Sequence, residues 1–257
     1  MRTVLIAGNW KMHKTLVDAR ALVAGIIEGM DGIMPKDSSA ACEVVVCPPF
    51  PLLFPMAKAL AGSRILLGAQ NAHEEAQGAF TGEVSVPMLK DTGCTHVIIG
   101  HSERRHVFGE PPDRLMKKVQ AVVQQGLTVI YCVGETLLEH QKEQTHEVVT
   151  KQLRDVLNPD IPPERLVVAY EPVWAIGTGH NASPEQAQEV HETIRRKLTK
   201  VYGPESAASV RILYGGSVKP GNAGALLGMP DIDGALVGGA CLAASDFVAI
   251  IRAAIGL

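Results

Sequence analysis

The 257-residue chain is short of several things, and each shortage removes a class of function. It has no basic stripe: 24 Lys and Arg stand against 27 Asp and Glu, a net charge of −3. Its densest cationic clusters, Arg104-Arg105 and Arg195-Arg196-Lys197, are short and read as solvated helix faces. Nucleic acid is therefore not an expected partner. Long apolar runs are missing too. The stretch Gly234 to Ser245 is stopped by Asp246, well short of a membrane span. In the opening "MRTVLIAGNWK", Asn9 and Lys11 interrupt a run too short for the core of a signal peptide. No membrane partner is expected. The cysteines, Cys42, Cys47, Cys94, Cys132 and Cys241, are odd in number and include no C-x-x-C pair. They read as reduced thiols of a cytoplasmic protein, not as a disulfide framework or a zinc site. H-E-x-x-H and comparable ligand spacings are absent, so no metal is expected. Without a low-complexity linker or a break in composition, residues 1–257 read as a single domain.

What is present is a recurring unit. Short, β-branched apolar runs stand at Val4–Ala7, Val44–Cys47, Ile65–Ala69, His96–Ile99, Thr128–Val133, Val167–Tyr170, Val210–Tyr214 and Ala235–Val237. Nearly continuous apolar runs suit strands buried on both faces, as in a parallel sheet. Between them, apolar residues follow helical spacing, as in Ala19, Leu22, Val23, Ile26, Ile27 and Met30, or Ala187, Val190, Ile194, Leu198 and Val201. The latter helix has a start signal in Ser183, Pro184 and Gln186. Eight strand–helix units allow a closed (β/α)8 barrel or an open doubly wound sheet. Polar and glycine residues follow the strands: Asn9-Trp10-Lys11, Gln70-Asn71, His101-Ser102-Glu103, Gly134-Glu135, Glu171-Pro172, Gly215-Gly216-Ser217 and Gly238-Gly239. A barrel makes them converge on one pocket, whereas an open sheet scatters them. The barrel is favoured, an α/β fold.

Glu171, at the mouth of a buried strand, is a candidate base, because a water-poor site disfavours its charged form. His101 opens a short helix with Ser102 as candidate N-cap, and a helix N-terminus favours a neutral imidazole that can donate and regain a proton. Lys11 would attract an anion. Gly215-Gly216-Ser217 and Gly238-Gly239 can be tight turns or a phosphate cradle; their place on adjacent late strands favours the cradle. Gly177-Thr178-Gly179-His180-Asn181-Ala182 fits G-x-G-x-x-A but is separated from its strand by Glu171 to Ile176, so a dinucleotide site is rejected. A base, a neutral acid, a cation, a phosphate cradle and no cofactor suit proton removal beside a carbonyl in a small phosphorylated substrate.

The motifs "AGNWKMHK", "GAFTGEVS", "IIGHSERR", "AYEPVWAIGTG", "LYGGSV" and "GALVGGACL" resemble, in order and over essentially the whole chain, the triosephosphate isomerase family. The resemblance implies a TIM barrel interconverting dihydroxyacetone phosphate and D-glyceraldehyde 3-phosphate; the same chemistry on a four-carbon sugar phosphate is the alternative. It implies Glu171 as base, His101 as electrophile and proton carrier, and Lys11 and Asn9 as substrate-holding residues. Backbone at Gly177, Ser217, Gly238 and Gly239 would bind phosphate. Ser102, Glu103 and Cys132 would support the site. Pro172, Val173, Trp174, Ala175, Ile176, Gly177, Thr178 and Gly179 would form a lid, with a second hinge at His180-Asn181-Ala182. The family is usually dimeric, so Thr81 and Glu83 would enter a partner copy, Glu83 facing its Arg104. Two departures stand out: His180 where the family commonly has lysine, and Cys241 where serine is frequent. The connection from Asp31 to Cys42 is longer than in many relatives.

Overall fold

The structure, a computed structural model, describes residues 2–34, 42–175 and 182–256. Eight strands, β1 (Val4–Asn9), β2 (Cys42–Cys47), β3 (Ile65–Ala69), β4 (His96–Ile99), β5 (Thr128–Val133), β6 (Leu166–Tyr170), β7 (Arg211–Tyr214) and β8 (Gly234–Val237), form a closed barrel in chain order. All pairings are parallel, and β8 returns to β1 from Leu5 opposite Gly234 to Gly8 opposite Val237. Each expected run is a strand, with ends shifted by a residue or two. The open-sheet alternative fails on the β1–β8 pairing.

Period-two alternation splits the strand side chains between two cores. Leu5, Ala7, Val45, Cys47, Ile98, Ile130, Cys132, Val167, Ala169, Leu213 and Leu236 fill the barrel. Their neighbours, among them Ile6, Val44, Val46, Val97 and Ile99, face outward onto the helices. Helix α1 (Leu16–Ile33) buries Ala19, Leu22, Val23, Ile26 and Met30, as its spacing requires. It takes up the start of the Asp31–Cys42 connection; residues 35–41 lie outside the described residues. The connections continue with α2 (Leu53–Leu60), α3 (Val86–Asp91), α4 (Ser102–His106), α5 (Pro112–Gln124), α6 (Leu137–Gln141), α7 (Thr145–Arg154), α8 (Pro184–Ser209), α9 (Pro220–Leu227) and α10 (Ala244–Ala254). Helix α8 starts where the sequence signalled, with Ser183 Oγ accepting the Gln186 N–H and Gln186 Oε1 accepting the Ser183 N–H. It breaks at Gly203, whose φ of 79° precedes Pro204. All five cysteines are free and buried. No described helix is long and apolar enough to cross a membrane.

Helix α8 also buries an ionisable ring. His191 is fully enclosed, its Nδ1 2.8 Å from the Ala187 carbonyl oxygen and its ring edge-on to Tyr170. Burial pushes its pKa from 6.5 down to about 4, against a smaller upward pull from backbone carbonyls. As the pH falls, the unfolded chain therefore takes the proton before the folded one. The contribution of His191 to stability is full above about pH 6.5 and is lost toward about pH 4, a change of roughly 3 kcal/mol. His191→Phe keeps a ring and removes the titration. Denaturant unfolding at fixed protein concentration should show a smaller loss of stability between neutral pH and about pH 4 in this variant than in the parent. Equal losses would contradict the assignment.

Candidate active site

Closure of the barrel brings the strand ends around one cavity of about 540 Å³, lined by Asn9, Lys11, His101, Glu171, Ser217, Gly238 and Gly239. These come from the ends of β1, β4, β6, β7 and β8, the face where barrels of this kind carry their chemistry.

Glu171 follows β6 and is 2% exposed. Its N–H donates to the Val133 carbonyl at 2.7 Å, which carries the chain one residue past the ladder and sets the carboxylate over the barrel. Oε1 lies 3.0 Å from His101 Nε2, and Oε2 accepts the Ser102 N–H at 2.9 Å. The backbone of β5 presses against this turn. A Cβ on Gly134 would collide with the Glu171 carbonyl oxygen, and one on Gly215 would lie 2.8 Å from Glu171 Cγ. Only glycine fits at either place.

His101 is itself the N-cap of α4: its Nδ1 accepts the Glu103 N–H at 3.2 Å. The expectation that Ser102 caps this helix is thereby corrected. Ser102 is buried in the first turn, and its N–H is directed to Glu171 instead. A ring nitrogen that accepts an N–H carries no proton, so the His101 proton sits on Nε2, facing Glu171. Burial pushes the His101 pKa down, but the Glu171 carboxylate pulls it above its ordinary value. Burial likewise works against the charge on Glu171, and the His101 ring outweighs it, holding the carboxyl below its usual range. Each shift exists because the two groups face each other. Separating them leaves burial in command, which makes Glu171 a stronger base and His101 a neutral ring.

Lys11 adopts φ 51°, an uncommon conformation for a residue with a Cβ. Asn9 Oδ1 accepts its N–H at 3.0 Å, and Gln70 Nε2 donates to its carbonyl at 2.8 Å and to that of Cys47 at 2.9 Å. Its Nζ pairs with Glu103 Oε1 at 2.8 Å. Gly238 lies beside the Lys11 stem, where a Cβ would be 3.6 Å from Lys11 Cε. Cys132 packs inside the barrel, and burial pushes its thiol far above its ordinary value.

A family profile described as triosephosphate isomerase matches residues 4–254. A triosephosphate isomerase of Prosthecochloris aestuarii is 52% identical over 254 residues, covering 99% of each chain. One of Chloroflexus aurantiacus is 51% identical over 255 residues, covering 98% of this chain and 99% of its own. The crystal structure of triosephosphate isomerase from Bartonella henselae matches with a TM-score of 0.87 at 41% identity, covering 98% of both chains. The chain belongs to the triosephosphate isomerase family.

Gln70 and Glu135 stand among the strand-end residues and Arg105 in a short cationic cluster, but their roles at this site depend on distant partners and are not legible from the sequence. Gln70 clamps Lys11 from the end of β3. Arg105 donates to the carbonyls of Gly100 and Cys132 and to Tyr131 Oη, tying the His101 turn to β5. Glu135 is fully buried and accepts from Tyr170 Oη at 3.1 Å and Trp174 Nε1 at 2.8 Å. Its backbone carbonyl accepts the Val173 N–H at 3.1 Å. His140 stacks on Trp174 with ring centroids 4.4 Å apart. Pro172, Val173, Trp174 and Ala175 are thus a tethered turn. Ile176, Gly177, Thr178, Gly179, His180 and Asn181 lie outside the described residues. Thr81 and Glu83 are exposed on the loop after β3 and do not line the cavity. Phe80 in that loop packs on the His73 ring at 4.1 Å but stays 44% exposed. Arg104 pairs within its own chain with Glu110, at 2.9 Å through Nε.

The crowding at Gly134 can be tested against an open glycine. Gly134→Ala should destabilise the protein by about 1–3 kcal/mol or more, read by denaturant unfolding. Gly221→Ala, in α9 with nothing near its would-be Cβ, should be neutral or stabilising. A Gly134→Ala protein as stable as the parent would mean the β5–β6 turn is not packed as described.

Proposed function

We propose that residues 1–257 form one catalytic domain that interconverts dihydroxyacetone phosphate and D-glyceraldehyde 3-phosphate through an enediol(ate), using its own side chains and no cofactor. The observation that carries this reading is the buried Glu171 carboxylate, paired with His101 Nε2 in the cavity that also holds Asn9, Lys11 and the late glycine turns. The names of the relatives speak against the four-carbon alternative and accord with a place in glycolysis and gluconeogenesis.

The substrate enters between the paired groups and takes their place as partner to each. The carbonyl oxygen then accepts from His101 Nε2–H, and Glu171 faces the adjacent CH₂OH carbon. Glu171 removes a proton from that carbon, and the electron pair of the C–H bond moves to the carbonyl as His101 protonates its oxygen. His101 then takes the proton of the other oxygen, and Glu171 returns its own to the former carbonyl carbon. Each group ends as it began. The rigid N–H bond into Nδ1 keeps the His101 proton on the nitrogen that faces the reaction. Lys11, released from Glu103, would neutralise charge growing on the oxygens. Backbone N–H groups at Ser217, Gly238, Gly239 and Gly177 would hold the phosphate, and residues 172–179 would cover the enediolate.

Glu171→Gln keeps the shape of the base and removes its function. Turnover should fall by on the order of 10²–10⁴-fold with the fold intact by circular dichroism. A variant retaining more than about a tenth of the parent kcat would place the base elsewhere.

The proposal extends to a cytoplasmic homodimer. The five free, buried thiols support a reducing compartment. Met12, adjacent in the chain to Lys11, is 92% exposed, and with Phe80 it offers apolar surface for a second copy to cover. Thr81→Arg or Glu83→Arg should weaken self-association and lower activity together, read by sedimentation and a coupled assay. A fully active monomeric variant would contradict the coupling.

A further inference from the structure

The mouth of the site carries little free positive charge for an enzyme of dianionic substrates. Two ammonium groups line it, Lys11 and Lys219, together with the carboxylates of Glu171 and Asp246. Lys11 is engaged by a further carboxylate, Glu103, at 2.8 Å. With histidines counted neutral, three negative charges (Glu171, Glu103, Asp246) stand against two positive ones (Lys11, Lys219), in a chain of net charge −3. An approaching phosphate dianion is repelled by this arrangement unless a cation faces it first.

Lys219 is placed to be that cation. It follows Ser217 and Val218 at the end of β7, and it stands as N-cap residue of α9. Its N–H donates to Asn222 Oδ1 at 2.8 Å, while Asn222 Nδ2 donates to the Ser217 carbonyl at 3.0 Å. One asparagine thus fixes both the Lys219 backbone and the Ser217 turn. The Lys219 side chain is exposed and has no ion-pair partner among the described residues. Asp246, in the first turn of α10, is the exposed carboxylate of the same lining.

We propose that Lys219 is a capture residue for the phosphate dianion of the substrate, drawing it toward the Ser217 and Gly238 side of the cavity, and that Asp246 opposes this attraction. The inference rests on reading those turns as the phosphate end of an isomerase site. Lys219 touches no reacting atom; it acts on encounter and on retention, through a field that salt screens.

The test compares the parent with Lys219→Gln, Lys219→Arg and Asp246→Asn. It measures kcat and kcat/KM for dihydroxyacetone phosphate at low and high ionic strength, with inorganic phosphate as a competitive probe. Lys219→Gln should lose about tenfold in kcat/KM at low salt, with kcat affected far less, and the gap should close as salt rises. Phosphate inhibition should weaken in parallel. Lys219→Arg should restore most of the loss, and Asp246→Asn should raise kcat/KM above the parent. A Lys219→Gln enzyme with the parent's kcat/KM, salt dependence and phosphate inhibition overturns the proposal and leaves the isomerase reading standing. So does a loss that persists undiminished at high salt, since that is structural damage. If the parent itself does not turn over dihydroxyacetone phosphate, the isomerase reading fails. Calorimetric binding of inorganic phosphate then decides the capture role: weaker binding by Lys219→Gln supports it, and equal binding overturns it.

Discussion

One ionised carboxylate held out of water is the constraint around which the mouth of this barrel is built. Removing a charge from water costs several kcal/mol or more unless partners replace the lost hydration. Glu171 has two such partners, the Ser102 N–H and His101 Nε2, and both belong to the end of a different strand. The β4 and β6 ends must therefore keep a fixed spacing, which β5 between them enforces through Gly134 and the Val133 carbonyl. The same pairing gives each of the two groups a hydrogen-bond partner in the buried cavity. In the proposed reaction, an exchange of partners with no change in burial would convert a held-down carboxyl into a base.

The rest of the site fixes what has to be rigid and leaves loose what has to move. Lys11 is kept in a sparsely populated backbone conformation by Asn9 and Gln70, so its Cα cannot drift, yet its ammonium is held by an exposed ion pair to Glu103 that is easily exchanged. The turn from Pro172 to Ala175 is similarly anchored. A fully buried Glu135 gathers Tyr170, Trp174 and the Val173 N–H, which fixes the chain that follows Glu171 as far as Ala175.

The fold was legible because the signal for it is local. Continuous β-branched runs declare strands buried on both faces, and Ser183-Pro184-Gln186 declares a helix start; both survive in the structure to within a residue or two. The candidate site residues could be picked out for a related reason: each sits at or just past the end of a strand, where a barrel places its chemistry. What the sequence hid are roles assigned by geometry between distant residues. Gln70 and Glu135 stood among the strand-end residues, but nothing in their neighbours says that one grips Lys11 from 59 positions away and the other gathers an indole and a phenol. Ser102 looked like the cap of its helix, and only the approach of Glu171 shows why its N–H points inward and His101 does the capping. Arg104 carried no sign that it would pair with Glu110 beside a buried Lys118.

The central claim is that a single carboxylate carries a proton from one carbon of the substrate to its neighbour. Turnover of dihydroxyacetone phosphate in deuterium oxide, with the aldehyde product trapped irreversibly as it forms, tests this most directly. A carboxylic acid poised between the two carbons exchanges its proton with solvent during the life of the enediolate, so a substantial share of the product should carry deuterium at C2, read by NMR. A Glu171→Gln enzyme that forms the same labelled product at the parent's rate would mean that another group moves the proton, and Glu171 would not be the base.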